Sequence, residues 1–320
     1  MTSLEPTPAL SQHALSQSAK SQSAQADAFR QMHAGGPVPL VLVNVWDAAS
    51  ARLVEKAGAR AIATSSSAIS WSLGFPDGSH VPPGLAFDAL GRIAAATSVP
   101  VTADIEAGYA GADGTFDDGL LRQTVVAVLA SGAVGVNIED SGGASLTAMD
   151  EQARRISLVR SIAAESGVHL FINARTDTYL SGQFGDSAFD ETLERAEGYL
   201  AAGADGIFVP GVTDLHILHE LSRRIAAPLN ALAGVGSASV GELHDAGVRR
   251  VSIGGNAAKA AYATVSRVAA EVLGDGNWSE LAGSPSHADM DALFSRQAGS
   301  PGSAGGSRRP AFRSPNVTES

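Results

Sequence analysis

Apolar and polar positions follow a repeating beat along this chain. Apolar residues at helical spacing lead to a glycine, and a short, almost unbroken apolar run comes next. The beat is plainest in E-K-A-G-A-R-A-I-A-T, L-A-S-G-A-V-G-V-N-I, L-A-A-G-A-D-G-I-F-V and H-D-A-G-V-R-R-V-S-I. Glycine just past a helix takes the left-handed conformation without a Cβ clash, so Gly58, Gly132, Gly203 and Gly247 mark helix ends. The apolar runs read as strands buried on both faces, as in a parallel sheet. Extending the pattern predicts strands near 39–45, 60–66, 99–104, 134–139, 168–174, 205–209, 228–232 and 249–253. Helices are predicted near 48–57, 85–96, 116–131, 150–165, 187–202, 213–225, 238–246 and 256–272. An open doubly wound sheet competes with a closed ring. Eight units with short connections and similar strand lengths fit closure better, so the predicted fold is α/β, a (β/α)8 TIM-type barrel with an extra C-terminal helix.

The flanks break the beat. Residues 1–25 are rich in Ser, Gln and Ala without a sustained apolar stripe, and are expected to form a disordered leader before a barrel at 26–275. Residues 276–298 read as a linker with a helix at 286–295, where Met290, Leu293 and Phe294 share a face. That helix starts either with Ser284 as cap and Pro285 in the first turn, or with Ser286 as cap and Asp289 three residues on. A helix so short is marginal alone in water, so its apolar face calls for a partner surface. Residues 299–320, rich in Gly, Ser, Pro and Arg, read as a disordered tail.

The formal net charge is −11, and the arginine pairs are scattered, which disfavours a nucleic-acid partner. No run approaches the ~18 apolar residues of a membrane span, and the leader lacks a signal-peptide core, so no membrane is expected. A chain without cysteine has no thiolate chemistry and no disulfide scaffold, compatible with a cytoplasmic setting.

Catalytic groups of a barrel gather where strands end. Here V-T-A-D-I-E-A-G-Y and G-V-N-I-E-D-S end apolar strands in carboxylates: Asp104, Glu106 and Glu139. Residues i and i+2 of a strand share a face, so Asp104 and Glu106 are expected to look into the mouth together. Like charges that close call for a cation or a proton, and hard oxygens suit Mg²⁺ or Mn²⁺. Ser65, Ser66 and Ser67 offer small side chains and N–H groups to an anion. Arg175, at the end of the fifth strand, is either a clamp for a substrate carboxylate or an ion-pair partner of Glu139 or Asp104. Asp77 lies in a long loop, Asn230 ends the seventh strand, and Asp47 reads as a helix cap. S-I-G-G-N after the eighth strand leaves a phosphate site open as an alternative. His216, His219 and His244 fall on outer helices, while His13, His33 and His287 fall outside the barrel.

Together, N-V-W-D-A-A-S-A-R-L-V-E-K-A-G, S-L-G-F-P-D, A-D-I-E-A-G-Y, G-V-N-I-E-D and N-A-R-T-D resemble the isocitrate lyase/phosphoenolpyruvate mutase superfamily from about Phe29 to Ala270. The resemblance implies a Mg²⁺-dependent barrel that makes or breaks a C–C or P–C bond beside an enolpyruvate unit. It implies Asp104 as direct metal ligand, Glu106 and Glu139 on metal-bound waters, and Asp77 near the reacting centre. Arg175 and Ser65–Ser67 would hold a substrate carboxylate, and Asn230 would touch substrate. It also implies a homotetramer or homodimer with an exchanged C-terminal helix.

Two departures narrow the activity. The lyases' K-[KR]-C-G-H loop is here D-S-G-G-A-S-L-T, with no Cys, Lys or His, and the mutases' Lys/Asn loop is absent too. Ala63 stands where relatives carry Tyr or Trp. Oxaloacetate-type decarboxylation of a small 2-oxo acid through a metal-stabilised enolpyruvate demands least of such a site. Retro-aldol cleavage of a substituted malate, P–C chemistry on phosphonopyruvate and a non-catalytic carboxylate-binding barrel are the alternatives.

Overall fold

The computed structural model describes residues 12–78, 80–109, 117–141 and 145–295. The chain forms two compact units, Met1–Ser284 and Pro285–Ser320. In the first, nine parallel strands make a nearly closed barrel: β1 (Leu40–Leu42), β2 (Asn44–Val45), β3 (Ile62–Thr64), β4 (Val101–Asp104), β5 (Gly135–Glu139), β6 (Phe171–Arg175), β7 (Gly206–Phe208), β8 (Leu229–Leu232) and β9 (Arg250–Ser252). β1 and β2 are the predicted first strand, split at Val43. β1 pairs with β9 and β2 with β3, so one chain segment joins the two ends of the sheet. Asn44 stitches the seam. Its Nδ2 donates to Thr64 O at 2.8 Å, while its Oδ1 accepts from the N–H groups of Ile253 (3.0 Å) and Gly254 (2.9 Å).

The barrel helices are α2 (Ala48–Lys56), α4 (Pro83–Ala96), α5 (Asp118–Ala130), α6 (Met149–Ser166), α7 (Ala188–Ala201), α8 (Leu215–Arg224), α9 (Val240–Asp245) and α10 (Asn256–Gly274). The four glycines predicted past helix ends all have φ between 90° and 104°. Asp47 caps α2 in a reciprocal box with Ser50, as its place before A-A-S suggests.

Two helices depart from the sequence reading. α1 (Gln12–Gln31) occupies much of the expected leader. Its sparse apolar residues escape a periodicity test, yet Ala26 and Phe29 are fully buried. Phe29 plugs the N-terminal end of the barrel. A Cβ on Gly135 would come within 3.0 Å of the Phe29 ring and 2.8 Å of Thr102 Oγ1, so only glycine leaves room. His33, expected outside the barrel, is 3% exposed and stacks on Phe171 at 4.0 Å. Gln22 ties α1 to the Leu129 and Ala133 carbonyls, and Arg30 pairs with Asp205 at 2.5 Å. The other helix is α3 (Ser66–Ser72), inside what reads as a loop.

The second unit contains α11 (His287–Phe294). Ser286 is its cap, with Asp289 N–H donating to Ser286 Oγ at 3.1 Å, which settles the two candidate starts. α11 has no buried residue, and the 299–320 tail lies outside the described residues. Among the described residues, no helix is long and apolar enough to cross a membrane.

Candidate active site

The C-terminal ends of β3 to β6 build an acidic mouth. β4 delivers Asp104, whose N–H donates to Thr64 Oγ1 at 2.9 Å. Its Oδ2 accepts from the Ser66 N–H (3.2 Å) and hydroxyl (2.8 Å). Ser66 opens α3, so the carboxylate is held at the start of a short helix by its first N–H. Oδ1 accepts no hydrogen bond from a described residue. Ser65 caps α3 and bonds Ser67 Oγ at 2.9 Å. Of the three serines, Ser66 is the one that reaches a predicted ligand, and it reaches it from a helix start rather than from an open loop.

Glu106 does not follow strand geometry. β4 ends at Asp104, and Glu106 takes φ 52°, a left-handed conformation uncommon outside glycine. The i, i+2 argument therefore fails, but the turn brings Glu106 to the neighbouring strand. Its carbonyl accepts the Glu139 N–H at 2.9 Å, and the residue is buried. Tyr109 also has positive φ, at 59°, and packs edge-on to Phe87. Burial first, then the charges of Glu106, Asp104 and Glu139, push its hydroxyl pKa up. Nothing in the sequence marks Tyr109 as a neighbour of these carboxylates, because backbone turns of this kind carry no propensity signal.

Arg175 is held between carboxylates. Its Nη1 lies 2.6 Å from Glu139 Oε2. Its Nε and Nη2 donate to Asp177 Oδ1 and Oδ2 at 2.6 and 2.7 Å, a two-pronged pair. Ser141 Oγ donates to Asp177 Oδ2 at 2.6 Å. Asp177 follows Arg175 in N-A-R-T-D, but sequence alone assigns it no role. Register explains the assembly: Glu139 stands opposite Arg175, and Asp104 opposite Asn137. Burial pushes the Glu139 carboxyl up to about 8. Arg175 opposes that shift, while Asp104, Asp177 and Glu106 add to it. Burial works against the Arg175 charge too, yet Glu139 and then Asp177 hold its pKa above the ordinary value.

Asp77 is on the exposed loop after α3. Its carboxyl is pushed up by desolvation, lowered by the Gly78 N–H, raised again by Asp104 and lowered by Arg175, so it stands within electrostatic reach of the mouth. Asn230 is fully buried on β8, donating to Ser252 Oγ at 3.2 Å, with Oδ1 lacking a partner among the described residues. Asp140 lies behind the mouth rather than in it. Its Oδ2 accepts from Tyr199 (2.8 Å) and Arg195 (3.1 Å), its Oδ1 from the Asp177 N–H (3.0 Å). Arg195 also donates to Thr147 O at 2.9 Å, so this buried network anchors both ends of the loop after β5. Gly142 and Gly143, in that loop, lie outside the described residues.

The mouth holds more negative than positive charge, and a divalent cation would relieve it. Among the described residues no three His, Asp or Glu side chains converge to ligate one ion jointly. The donor set still fits Mg²⁺ or Mn²⁺, which keep several waters: Asp104 Oδ1 is an uncommitted hard oxygen, with Glu106 and Glu139 nearby for the water shell. A phosphate site at S-I-G-G-N fits less well, because Asn44 already occupies the Ile253 and Gly254 N–H groups.

A model of the phosphoenolpyruvate phosphomutase family matches residues 29–273. An uncharacterized protein of Mycobacterium tuberculosis is 38% identical over 227 residues, 71% of this chain and 81% of its own length. A crystal structure from Burkholderia cenocepacia, provisionally described as a lyase/mutase, has 33% identity and a TM-score of 0.78, covering 87% of this chain and 98% of that one. More distant relatives differ in named activity. A 2-methylisocitrate lyase of Halalkalibacterium halodurans is 28% identical, over 64% of this chain and 66% of its own. An oxaloacetate decarboxylase of Bradyrhizobium is 30% identical, over 58% of this chain and 63% of its own.

Proposed function

This chain belongs to the isocitrate lyase/phosphoenolpyruvate mutase superfamily, whose members are lyases or mutases acting on C–C or P–C bonds, and from that premise we propose that it is a divalent-metal-dependent carbon–carbon lyase. Its substrate class is a small 2-oxo dicarboxylic acid, and its reaction is decarboxylation of the oxaloacetate type. One observation carries this reading. Asp104, Glu106, Glu139 and Arg175 are gathered at one mouth, while the loop after β5 has no Cys, Lys or His to serve as a leaving-group acid.

Asp104 would hold Mg²⁺ or Mn²⁺ directly, with Glu106 and Glu139 accepting hydrogen bonds from its waters. When bound, the cation supplies Lewis-acid stabilisation of negative charge on the substrate's oxygens. Arg175 would turn Nη1 from Glu139 toward the substrate's carboxylate, while its Nε and Nη2 stay on Asp177, which keeps the guanidinium in plane. Ser66 keeps the Asp104 carboxylate oriented. The bond from C3 to the departing carboxylate breaks, CO₂ leaves, and the electron pair spreads to the 2-oxo oxygen. A proton from solvent then completes pyruvate at C3. No protein acid is needed for the bond-breaking step, which matches the chain's own residues.

Retro-aldol cleavage of a 2-hydroxy acid is the second reading, favoured by Asp77. A carboxyl with a raised pKa near the mouth is a candidate base for a hydroxyl proton. The test is a Mg²⁺-supplemented panel of oxaloacetate, substituted malates and phosphonopyruvate, read as pyruvate and, separately, as phosphate. Pyruvate from oxaloacetate without phosphate release supports decarboxylation. Turnover of a malate or of phosphonopyruvate alone would replace it.

A further inference from the structure

Arg250 is a charged side chain with no obvious reason to be where it is. It begins β9 and is 1% exposed in the barrel interior. Its Nη2 donates to Asn137 Oδ1 at 2.9 Å, and the same oxygen accepts from Asn173 Nδ2 at 2.9 Å. The guanidinium lies 6.0 Å from the centre of the Phe29 ring, above the plug made by α1. Nε and Nη1 have no partner, and no carboxylate pairs with Arg250, among the described residues. A buried charge without a counterion is unfavourable, and an apolar side chain of similar volume would fill the space more cheaply.

Its neighbours locate it. Asn137 is two residues before Glu139, Asn173 two before Arg175, and Thr102 two before Asp104, each on the same face of its strand. This polar cluster is the layer directly beneath the mouth. Burial lowers the Arg250 pKa to about 9 and the charge of Asp104 opposes that, so the guanidinium is charged at neutral pH and coupled to the site above.

We propose that Arg250 is a positioning residue whose buried guanidinium sets a fixed positive charge beneath the mouth, favouring an anionic dicarboxylate over a bare cation there. This rests on reading the mouth as a metal and carboxylate site. A fixed charge acts with opposite sign on two ligands. It weakens binding of a divalent cation alone and strengthens binding of a dianion. A side chain that merely braces the barrel would, when removed, weaken both.

The experiment uses the full chain as wild type, Arg250→Met and Arg250→Lys, with melting curves to establish folding. Mn²⁺ binding is read by water-proton relaxation, and oxalate binding by calorimetry at saturating Mn²⁺. At an effective dielectric near 20, a unit charge about 10 Å from each unit of ligand charge couples by roughly tenfold in a binding constant, a lower bound for a dianion. Arg250→Met should therefore weaken oxalate by roughly tenfold or more and tighten Mn²⁺. Arg250→Lys should stay within about threefold of wild type for oxalate. Loss of both ligands alike in the Met variant, or loss of neither, overturns the inference. If the Met variant does not fold, a folded Lys variant that binds oxalate roughly tenfold more weakly overturns it instead. Wild-type protein that binds no oxalate with Mn²⁺ removes the reading of the mouth and this inference together. Wild type that binds oxalate beside an unaffected Met variant removes the inference alone.

Discussion

At the scale of residues, Arg175 is the pivot. Without substrate it is engaged by Glu139 and Asp177, the ion-pair reading of a strand-end arginine, and the proposed clamp requires a substrate carboxylate to compete for it. Lysine keeps the charge and loses the planar fork. Arg175→Lys should lower kcat/KM by about 100-fold or more with little change in melting temperature, since the loss falls on transition-state binding. Steady-state kinetics beside a melting curve check this, and a Lys variant equal to wild type would make the residue structural. Asp104, Glu139 and Arg175 were legible in the sequence because each closes an apolar strand. Glu106's left-handed backbone, Tyr109's place among the carboxylates and Arg250's interior position were not. The first two depend on a turn that residue type does not announce. Arg250, with Arg249, reads as the start of a strand, which does not say which way its side chain points.

At the scale of elements, α1 is the largest surprise, and His33 makes its docking sensitive to pH. Burial, and then the charge of Arg250, pull the His33 pKa down to about 3, although its bond to the Phe29 carbonyl pulls the other way. The folded state thus binds fewer protons than the unfolded chain between about pH 3 and pH 6.5, so unfolding becomes easier as pH falls through that window. The slope from this group is at most about 1.4 kcal/mol per pH unit. Denaturant melts of wild type and His33→Gln between pH 4 and pH 7 should show a shallower acid loss in the variant, about one proton fewer across the window. Parallel curves would mean that α1 leaves the barrel before His33 titrates. The barrel elements themselves were readable because glycine ends and apolar runs repeat. α1 was not, because its apolar residues are sparse in the sequence. α3 was not, because a seven-residue helix is shorter than a periodicity window.

At the scale of the molecule, one barrel helix leaves its work undone. α10 buries only Ala258, while Tyr262, Val265 and Leu273 are exposed. A groove of about 470 Å³ runs outside β1, lined by Val38, Val41, Val43, Leu53, Val54 and Ala57. An exposed helix face and an open apolar groove on one unit are complementary surfaces between copies. We expect a homodimer or homotetramer in which α10 of one copy covers that groove on another. This adds a second candidate contact to the segment at 286–295, whose apolar face the sequence singled out and which buries no residue here. Val265→Glu with Leu273→Glu should reduce the mass seen by light scattering at micromolar concentration, whereas deleting 299–320 should not change it. A monomeric wild type would refute the exchange.

The most direct measurement of the central claim is calorimetric binding of oxalate to wild type and Asp104→Ala, each with Mg²⁺ and after exhaustive EDTA treatment. Asp104 Oδ1, which accepts no hydrogen bond from a described residue, is the oxygen on which the metal reading depends, so wild type should bind oxalate only with Mg²⁺, and Asp104→Ala should bind it in neither condition. Oxalate binding that survives EDTA in wild type, or that persists with Mg²⁺ in Asp104→Ala, would contradict a metal-centred site at this mouth.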